Sequence, residues 1–213
     1  LDIRTLDAIL VSHEHSDHIS GVGVLSRRFR LPVYLSENTP CPSRIGQLHE
    51  MRPFICGQTF KLGKITIHPF CTEHDAKDPS GFTFNRNSIK IGLATDLGRA
   101  TGLVRTHLKE CRLLMLEANH DPLMLKENKT YTPELKKRIK GRKGHLSNED
   151  ARDLLGELIH DGLSHVILAH LSQDNNRPDL AHKIVGEGLG KNKTSLIVAQ
   201  QDIPGPIITL TSD

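Results

Sequence analysis

The segment Ser12-His13-Glu14-His15-Ser16-Asp17-His18 constrains this chain more than any other. Three histidines and an aspartate fall between positions 13 and 18. The run before them, Leu6-Asp7-Ala8-Ile9-Leu10-Val11, is mostly apolar and reads as a strand that stops at the histidines. In an extended segment side chains alternate, so His13 and His15 point to one side. The turn that follows brings Asp17 and His18 round to a second point nearby. Imidazole nitrogens and carboxylates suit zinc and similar divalent ions. The ordinary reading is a polar loop that is rich in histidine by chance. The density of ligands at this spacing argues against it.

The rest of the chain repeats the pattern of a strand followed by a ligand type. Residues 64–70 are strand-like and lead to His74, although a lone histidine after a strand is commonly structural. Residues 88–95 form a strand that ends at Asp96, which could equally cap the next helix. A buried strand at 112–117 leads into Glu117-Ala118-Asn119-His120-Asp121. Residues 165–169 form a strand that delivers His170. Between these lie a helix over 19–29, a strand over 32–35, a turn at 38–42 and a short helix over 43–51. A strand at 59–62 pairs with 64–70 through Gly63, and His68 then faces solvent. Ser147 caps a helix whose buried stripe is Ala151, Leu154, Leu155 and Leu158. A helix over 178–188 and strands over 195–199 and 206–210 close the chain.

The 213 residues fit one domain with a sizeable core, and the net charge of +3 permits a polyanionic partner without requiring one. Positive charge concentrates over 126–143, where Lys137, Arg138, Arg142 and Lys143 lead toward His145. Such runs are usually solvated surface, but this one is placed to guide a phosphate backbone. Aromatic residues are 4% of the chain and there is no Trp, so a base-stacking platform is not expected. No apolar run approaches the ~20 residues of a membrane span, and no signal peptide opens the chain. Cys41, Cys56, Cys71 and Cys111 are widely spaced and read as free thiols of a cytoplasmic protein.

His-x-His-x-Asp-His after a strand resembles the signature of the metallo-β-lactamase-fold hydrolases. Gly144-His145-Leu146-Ser147-Asn148 and His170-Leu171-Ser172-Gln173-Asp174-Asn175-Asn176 extend the resemblance to the bacterial YycJ (WalJ, VicX) branch. The resemblance implies an α/β fold, the αββα sandwich, over 1–213. It also implies that N-terminal strands which usually precede the ligand cluster are missing. It implies two divalent metal ions, zinc or manganese. His13, His15 and His74 would hold one, Asp17, His18 and His170 the other, and Asp96 would bridge them. Two such ions share and activate a hydroxide for in-line displacement at phosphorus, at which Asp17 also acts. His145 would bind phosphate or protonate the leaving group, or else be structural before its helix. Glu117 and His120 are candidates for supporting or proton-transfer roles, or plain loop residues.

Transfer-RNA-processing relatives carry His-Glu-Ala-Thr where this chain has Leu116-Glu117-Ala118-Asn119, which argues against that branch. Asp75 would orient an imidazole or be solvated. Asn175 and Asn176 would touch substrate or simply form a turn. The implied activity is 5′ to 3′ exonuclease action on nucleic acid, with DNA ahead of RNA. The rival readings are a small-molecule hydrolase of thioesters or lactams, and a non-catalytic metal-binding regulatory protein. The sequence does not speak to oligomeric state.

Overall fold

Apolar runs at 9–10 and 32–36 and an amphipathic stretch between them start the fold. The computed structural model describes residues 2–211. Strand β1 (Ile9–Leu10) leads through the ligand segment to helices α1 (Ser16–Ile19) and α2 (Val22–Phe29). Strand β2 (Pro32–Ser36) and strand β3 (Glu50–Phe54) follow, and β1, β2 and β3 form a parallel sheet in that order. The helices bury Ile19 and Val22 against Val11, Val33 and Leu35.

Two expectations change here. The helix expected over 43–51 is one 3-10 turn, Ser43–Ile45, that stops at Gly46. Gly46 has φ 69, a left-handed conformation that ends the turn at no steric cost. The chain beyond it pairs with β2, Glu50 opposite Pro32, so tertiary pairing overrides a local helical pattern. The helix expected over 19–29 is divided near Ser20 and Gly21.

The second sheet has seven strands among the described residues. Strand β4 (Phe60–Leu62), β5 (Ile65–Cys71), β6 (Ser80–Arg86) and β7 (Ile89–Ala94) run antiparallel in sequence. Helix α3 (Gly102–Leu108) crosses to β8 (Leu113–Glu117), which pairs parallel with β7. Helices α4 (Pro122–Glu127), α5 (Pro133–Ile139) and α6 (Asn148–Leu158) intervene before β9 (His165–Ala169). Helix α7 (Pro178–Gly186) then leads to β10 (Ser195–Val198). The order across the sheet is β10-β9-β8-β7-β6-β5-β4. Strands β7 to β10 are parallel, and β5 shares their direction because two antiparallel steps separate it from β7. Their C-terminal ends therefore lie along one edge.

The two sheets face each other through Tyr34 and Phe54 on one side and Ile67 and Phe82 on the other. Helices α3, α6 and α7 cover the outer face of the larger sheet, where Leu114, Leu116, Val166 and Leu168 meet Leu108, Leu155 and Ala181. This is the αββα layering expected from the resemblance. Ser147 caps α6 in a capping box with Asp150, whose carboxylate accepts from the Ser147 backbone.

His68 is not directed at solvent. It is half-buried, lies 2.9 Å from Thr59 Oγ1 and stacks on the His107 ring, centroids 4.5 Å apart. The strand expected over 206–210 does not form. Pro204 and Pro206 remove two backbone donors there, and Ile208 and Leu210 instead lie beside Ile65, Phe84 and Ile91.

Leu155 is fully buried at the centre of the larger core. Leu155→Ala is expected to cost about 2–5 kcal/mol through lost burial and the cavity left behind. Urea unfolding checks this, as a lower midpoint at unchanged slope.

Candidate metal centre

The ligand-type side chains leave the ends of strands, those of the larger sheet along its shared edge and the first segment from the smaller sheet. β1 delivers the His13–His18 segment, β5 leads to His74, β7 to Asp96, β8 to Glu117 and β9 to His170. The register aligns Ala94, Leu116 and Leu168 across β7, β8 and β9. Asp96 and His170 therefore each stand two residues beyond the same line, with Glu117 between them. Asp96 and His170 both adopt left-handed backbone, φ 58 and φ 59. Such conformations are uncommon outside glycine and cluster at functional sites.

Side-chain donors converge in two groups. His13, His15 and His74 place one nitrogen each within 4.8 Å of one another, as do the ligand atoms of Asp17, His18 and His170. Asp96 reaches both groups: Oδ2 is 3.2 Å from His18 Nε2 and Oδ1 is 3.5 Å from His74 Nε2. Asp17 Oδ2 lies 3.4 Å from His170 Nε2 and 3.5 Å from His18 Nε2.

The outward nitrogens are fixed by what the other ring nitrogens do. Ser12 Oγ lies 3.1 Å from His13 Nδ1 and 3.0 Å from His18 Nδ1. His74 Nδ1 donates to the Gly144 carbonyl at 3.0 Å, which turns Nε2 toward His15. Gly98, two residues past Asp96, packs against the Arg142 carbonyl where a Cβ would collide, which draws the 142–145 segment onto the site.

Glu117 is fully buried and gathers four groups. Oε1 accepts from His145 Nδ1 and His170 Nδ1, each at 2.8 Å. Oε2 accepts from the backbone of Leu97 at 2.9 Å and of Leu146 at 3.0 Å. His145 is thereby placed beside the ligand groups, its ring 5.0 Å from His74 and 5.3 Å from His170.

Electrostatics follow from burial and crowding. Burial, with His18 nearby, pushes His13 down to about 3, so its imidazole stays neutral. Burial also lowers His74. Burial opposes ionisation of Asp96, but the hydrogen bond with His18 and the charge of His170 hold it well below the usual carboxylate range. The hydrogen bond from His170 does the same for Asp17. Burial alone would lower His170, yet Asp17, Glu117 and Asp96 raise it to about 11. Burial likewise opposes the charge on His145, and Glu117 outweighs it to raise the pKa.

This donor set fits divalent ions. His13 Nε2 is a buried atom with no hydrogen-bond partner among the described residues. Such an orphan is costly unless something pairs with it. Imidazoles with carboxylates are the ligands that zinc and manganese take.

A cleft of about 520 Å³ opens over the cluster. Arg44, Tyr131, Arg138 and Ser172 stand on its walls. Arg138 pairs with Asp75 at 2.5 Å, and Asp75 Oδ1 is 3.4 Å from His74 Nε2. Asp75 thus joins a basic side chain to the ligand group. Lys137, Arg142 and Lys143 are exposed, but only Arg138 of the four expected cations lines the cleft. Arg44 was not anticipated from the sequence. It sits on the 3-10 turn and donates to the Glu14 carbonyl at 2.6 Å, a contact between segments 30 positions apart.

Three expected site residues belong elsewhere. His120 is buried, does not line the cleft and is driven down to about 4 by burial. Asn175 and Asn176 are 1% and 5% exposed, too buried to touch substrate. The Asn175 Oδ1 accepts from Asn128 at 2.8 Å. The Asn176 amide donates to the Ala118 carbonyl at 2.8 Å and exchanges hydrogen bonds with Asn148. Both hold together the loops that position Asn119 and Ser147.

The model of the beta-lactamase superfamily domain matches residues 1–171. The chain is 38% identical over 193 residues to exodeoxyribonuclease YycJ of Bacillus anthracis, covering 89% of this chain and 73% of that protein. It is 36% identical over 183 residues to exodeoxyribonuclease WalJ of Streptococcus pneumoniae serotype 2, covering 83% and 68%. Among solved structures, the metallo-beta-lactamase fold protein YhfI from Bacillus subtilis superposes with a TM-score of 0.67 at 19% identity. That likeness of fold covers 93% of this chain and 76% of the other.

Two measurements follow from this geometry. Glu117→Gln keeps the volume but removes the charge that orients His145 and His170. It is expected to weaken metal binding about 10–100-fold, read by competition with a chromogenic chelator, with the circular dichroism unchanged. The second is pH dependence. His170 Nε2 must lose its proton to bind a metal, and its pKa is raised to about 11. Log affinity should therefore rise with pH from 6 to 9, by about one unit per pH unit for this group. His13, at about 3, adds nothing in that window. A flat profile would mean that His170 is already neutral.

Proposed function

The chain belongs to the β-lactamase superfamily and is a metal-dependent hydrolase, and within that class we propose that it is a DNA exonuclease acting from 5′ ends. The observation that carries this reading is a pair of cleft cations, Arg44 and Arg138, beside the ligand cluster of a chain 38% identical to an exodeoxyribonuclease. A phosphodiester brings negative charge to that cleft, and guanidinium groups bind phosphate in two-point fashion.

We assign His13, His15 and His74 to one divalent ion, Asp17, His18 and His170 to a second, and Asp96 to both. Zinc and manganese both suit the set. Two ions there supply Lewis acidity and lower the pKa of water. The protein's own groups do the rest. Asp96, kept ionised, holds the two ligand groups in register. Arg138, anchored by Asp75, and Arg44 hold the phosphate from the open side. His145, whose Nδ1 proton is fixed on Glu117, is left with Nε2 to present toward the leaving oxygen. Its raised pKa favours the protonated ring, as a proton donor to that oxygen requires. The exposed Lys137, Arg142 and Lys143 extend the positive surface along the path of the strand. We place the enzyme in the cytoplasm with its substrate; among the described residues no helix is long and apolar enough to cross a membrane.

Labelled duplex DNA, single-stranded DNA and RNA, each with manganese or zinc, test this reading. Stepwise loss of DNA from the 5′ end, abolished by chelation and by Asp96→Ala, is the expected result. Turnover by metal-loaded Asp96→Ala would remove the bridging assignment. Cleavage of a chromogenic thioester or lactam with no nucleic acid cut would move the substrate to small molecules. Arg138→Ala is expected to raise KM and to flatten the salt dependence of DNA binding by about one charge, as loss of one phosphate contact requires.

A further inference from the structure

A second cluster of reactive side chains lies outside the candidate metal centre, where the turn after β3 meets the end of β5. Cys56 Sγ and Cys71 Sγ are 2.6 Å apart. That is far inside ordinary sulfur contact and about 0.6 Å beyond an S–S bond. Ser80 Oγ lies 3.6 Å from Cys56 Sγ.

The backbones that carry the two sulfurs are already fixed. Gly57 N donates to the Pro69 carbonyl at 2.9 Å, and Gln58 N to the Ile55 carbonyl at 3.0 Å. Cys71 is paired with Ser80 in the sheet. Bond formation therefore needs a small side-chain movement and no rearrangement of the chain. Cys71 is exposed and Cys56 half-buried, so an incoming reagent meets Cys71 first. Cys41 is exposed and Cys111 buried, and neither has a sulfur partner among the described residues.

We propose that Cys56 and Cys71 form a reversible disulfide, a modification site that fastens the turn after β3 to the strand leading to His74. The oxidant is a low-molecular-weight disulfide. The Cys71 thiolate attacks one of its sulfurs and expels one thiolate, leaving a mixed disulfide. Cys56 loses its proton to solvent and attacks the Cys71 sulfur, expelling the second thiolate. Both expelled thiolates take up protons, so two protein thiols and one small disulfide become one protein disulfide and two small thiols. Burial and the Cys71 hydrogen bond push Cys56 up to about 12, which leaves the first attack to Cys71; the resolving step draws on a small thiolate fraction but is intramolecular across 2.6 Å.

The bond would act close to the metal centre. Cys71 stands three positions before His74, and Ser80 donates its backbone N–H to the Ser12 carbonyl at 3.0 Å. Asp78 is also near, its ligand oxygen within 4.8 Å of both sulfurs, which raises the rival idea of a soft metal site. Two thiolates on one tetrahedral zinc at about 2.3 Å each stand much farther apart than 2.6 Å, and Asp78 is already bonded to Ser36 and Asn38. The geometry favours the disulfide.

The test uses the full chain, metal-loaded, incubated with oxidised glutathione, quenched with a maleimide under denaturing conditions and weighed. Two of the four cysteines should escape alkylation, and a non-reducing digest should yield one peptide joining positions 56 and 71. The melting temperature should rise by about 5–10 °C and return on adding dithiothreitol. Cys56→Ser should stop at a glutathione adduct on Cys71 with no such rise. Cys41→Ser should behave as the parent. Four alkylated cysteines, or a stable glutathione adduct on Cys71 of the parent, would overturn the proposal. So would zinc retained by the parent and lost in Cys71→Ser.

Discussion

The buried carboxylate of Glu117 is the interaction on which the site depends. Removing a carboxylate from water costs several kcal/mol unless the protein replaces the lost hydration. Here four donors do so: two imidazoles and two backbone amides. Because those donors come from the exits of β7 and β9 and from the segment before α6, satisfying one charge also assembles three loops. An apolar residue at 117 would leave the same donors without a common acceptor.

The ligand cluster is in turn expensive to build. Five imidazoles and two carboxylates crowd within a few ångströms of one another, and the buried His13 Nε2 has no hydrogen-bond partner among the described residues. Burial forces His13 to stay neutral while three carboxylates force His170 to hold a proton. Metal binding relieves both conditions, supplying a partner for His13 Nε2 and replacing a proton with a cation. Metal affinity and fold stability are thereby linked in the same residues. The larger hydrophobic core on the far face of the seven-stranded sheet holds the frame rigid without taking part in that exchange.

Much of this was legible in the sequence because strands and ligands alternate along it. The His13–His18 segment, His74, Asp96 and His170 each follow an apolar run; strand direction in the larger sheet brings the last three to one edge, and the smaller sheet packed on it supplies the first. His145 was legible from its motif. What was not legible depends on contacts between distant segments. Arg44 reaches the cleft from a 3-10 turn that has no local signature. The 50–54 segment became a strand only because β2 offers a pairing edge. Asn175 and Asn176 look like turn or substrate residues until the three loops they join are placed together. Cys56 and Cys71 are 15 positions apart with no motif between them, and the hydrogen bond from Gly57 N to the Pro69 carbonyl holds the turn against β5 where they meet.

The left-handed backbones of Asp96 and His170 show how the frame and the site are joined. Each such conformation costs on the order of 1–3 kcal/mol for a residue with a side chain, and it survives only where the surroundings over-determine it. At Asp96 the next amide, Leu97 N, is held by Glu117, and Gly98 N is held by the Glu73 carbonyl at 2.8 Å. At His170 the ring is held by Glu117 and the carbonyl by Asn119 Nδ2 at 2.9 Å. Both strained turns are therefore pinned to the exit of β8, which stands between them. From those backbones the Asp96 carboxylate meets His18 and His74, and the His170 ring meets Asp17, ligands that follow β1 and β5. The central strand contributes no ligand to either group, yet its last residues set where the outer two must bend.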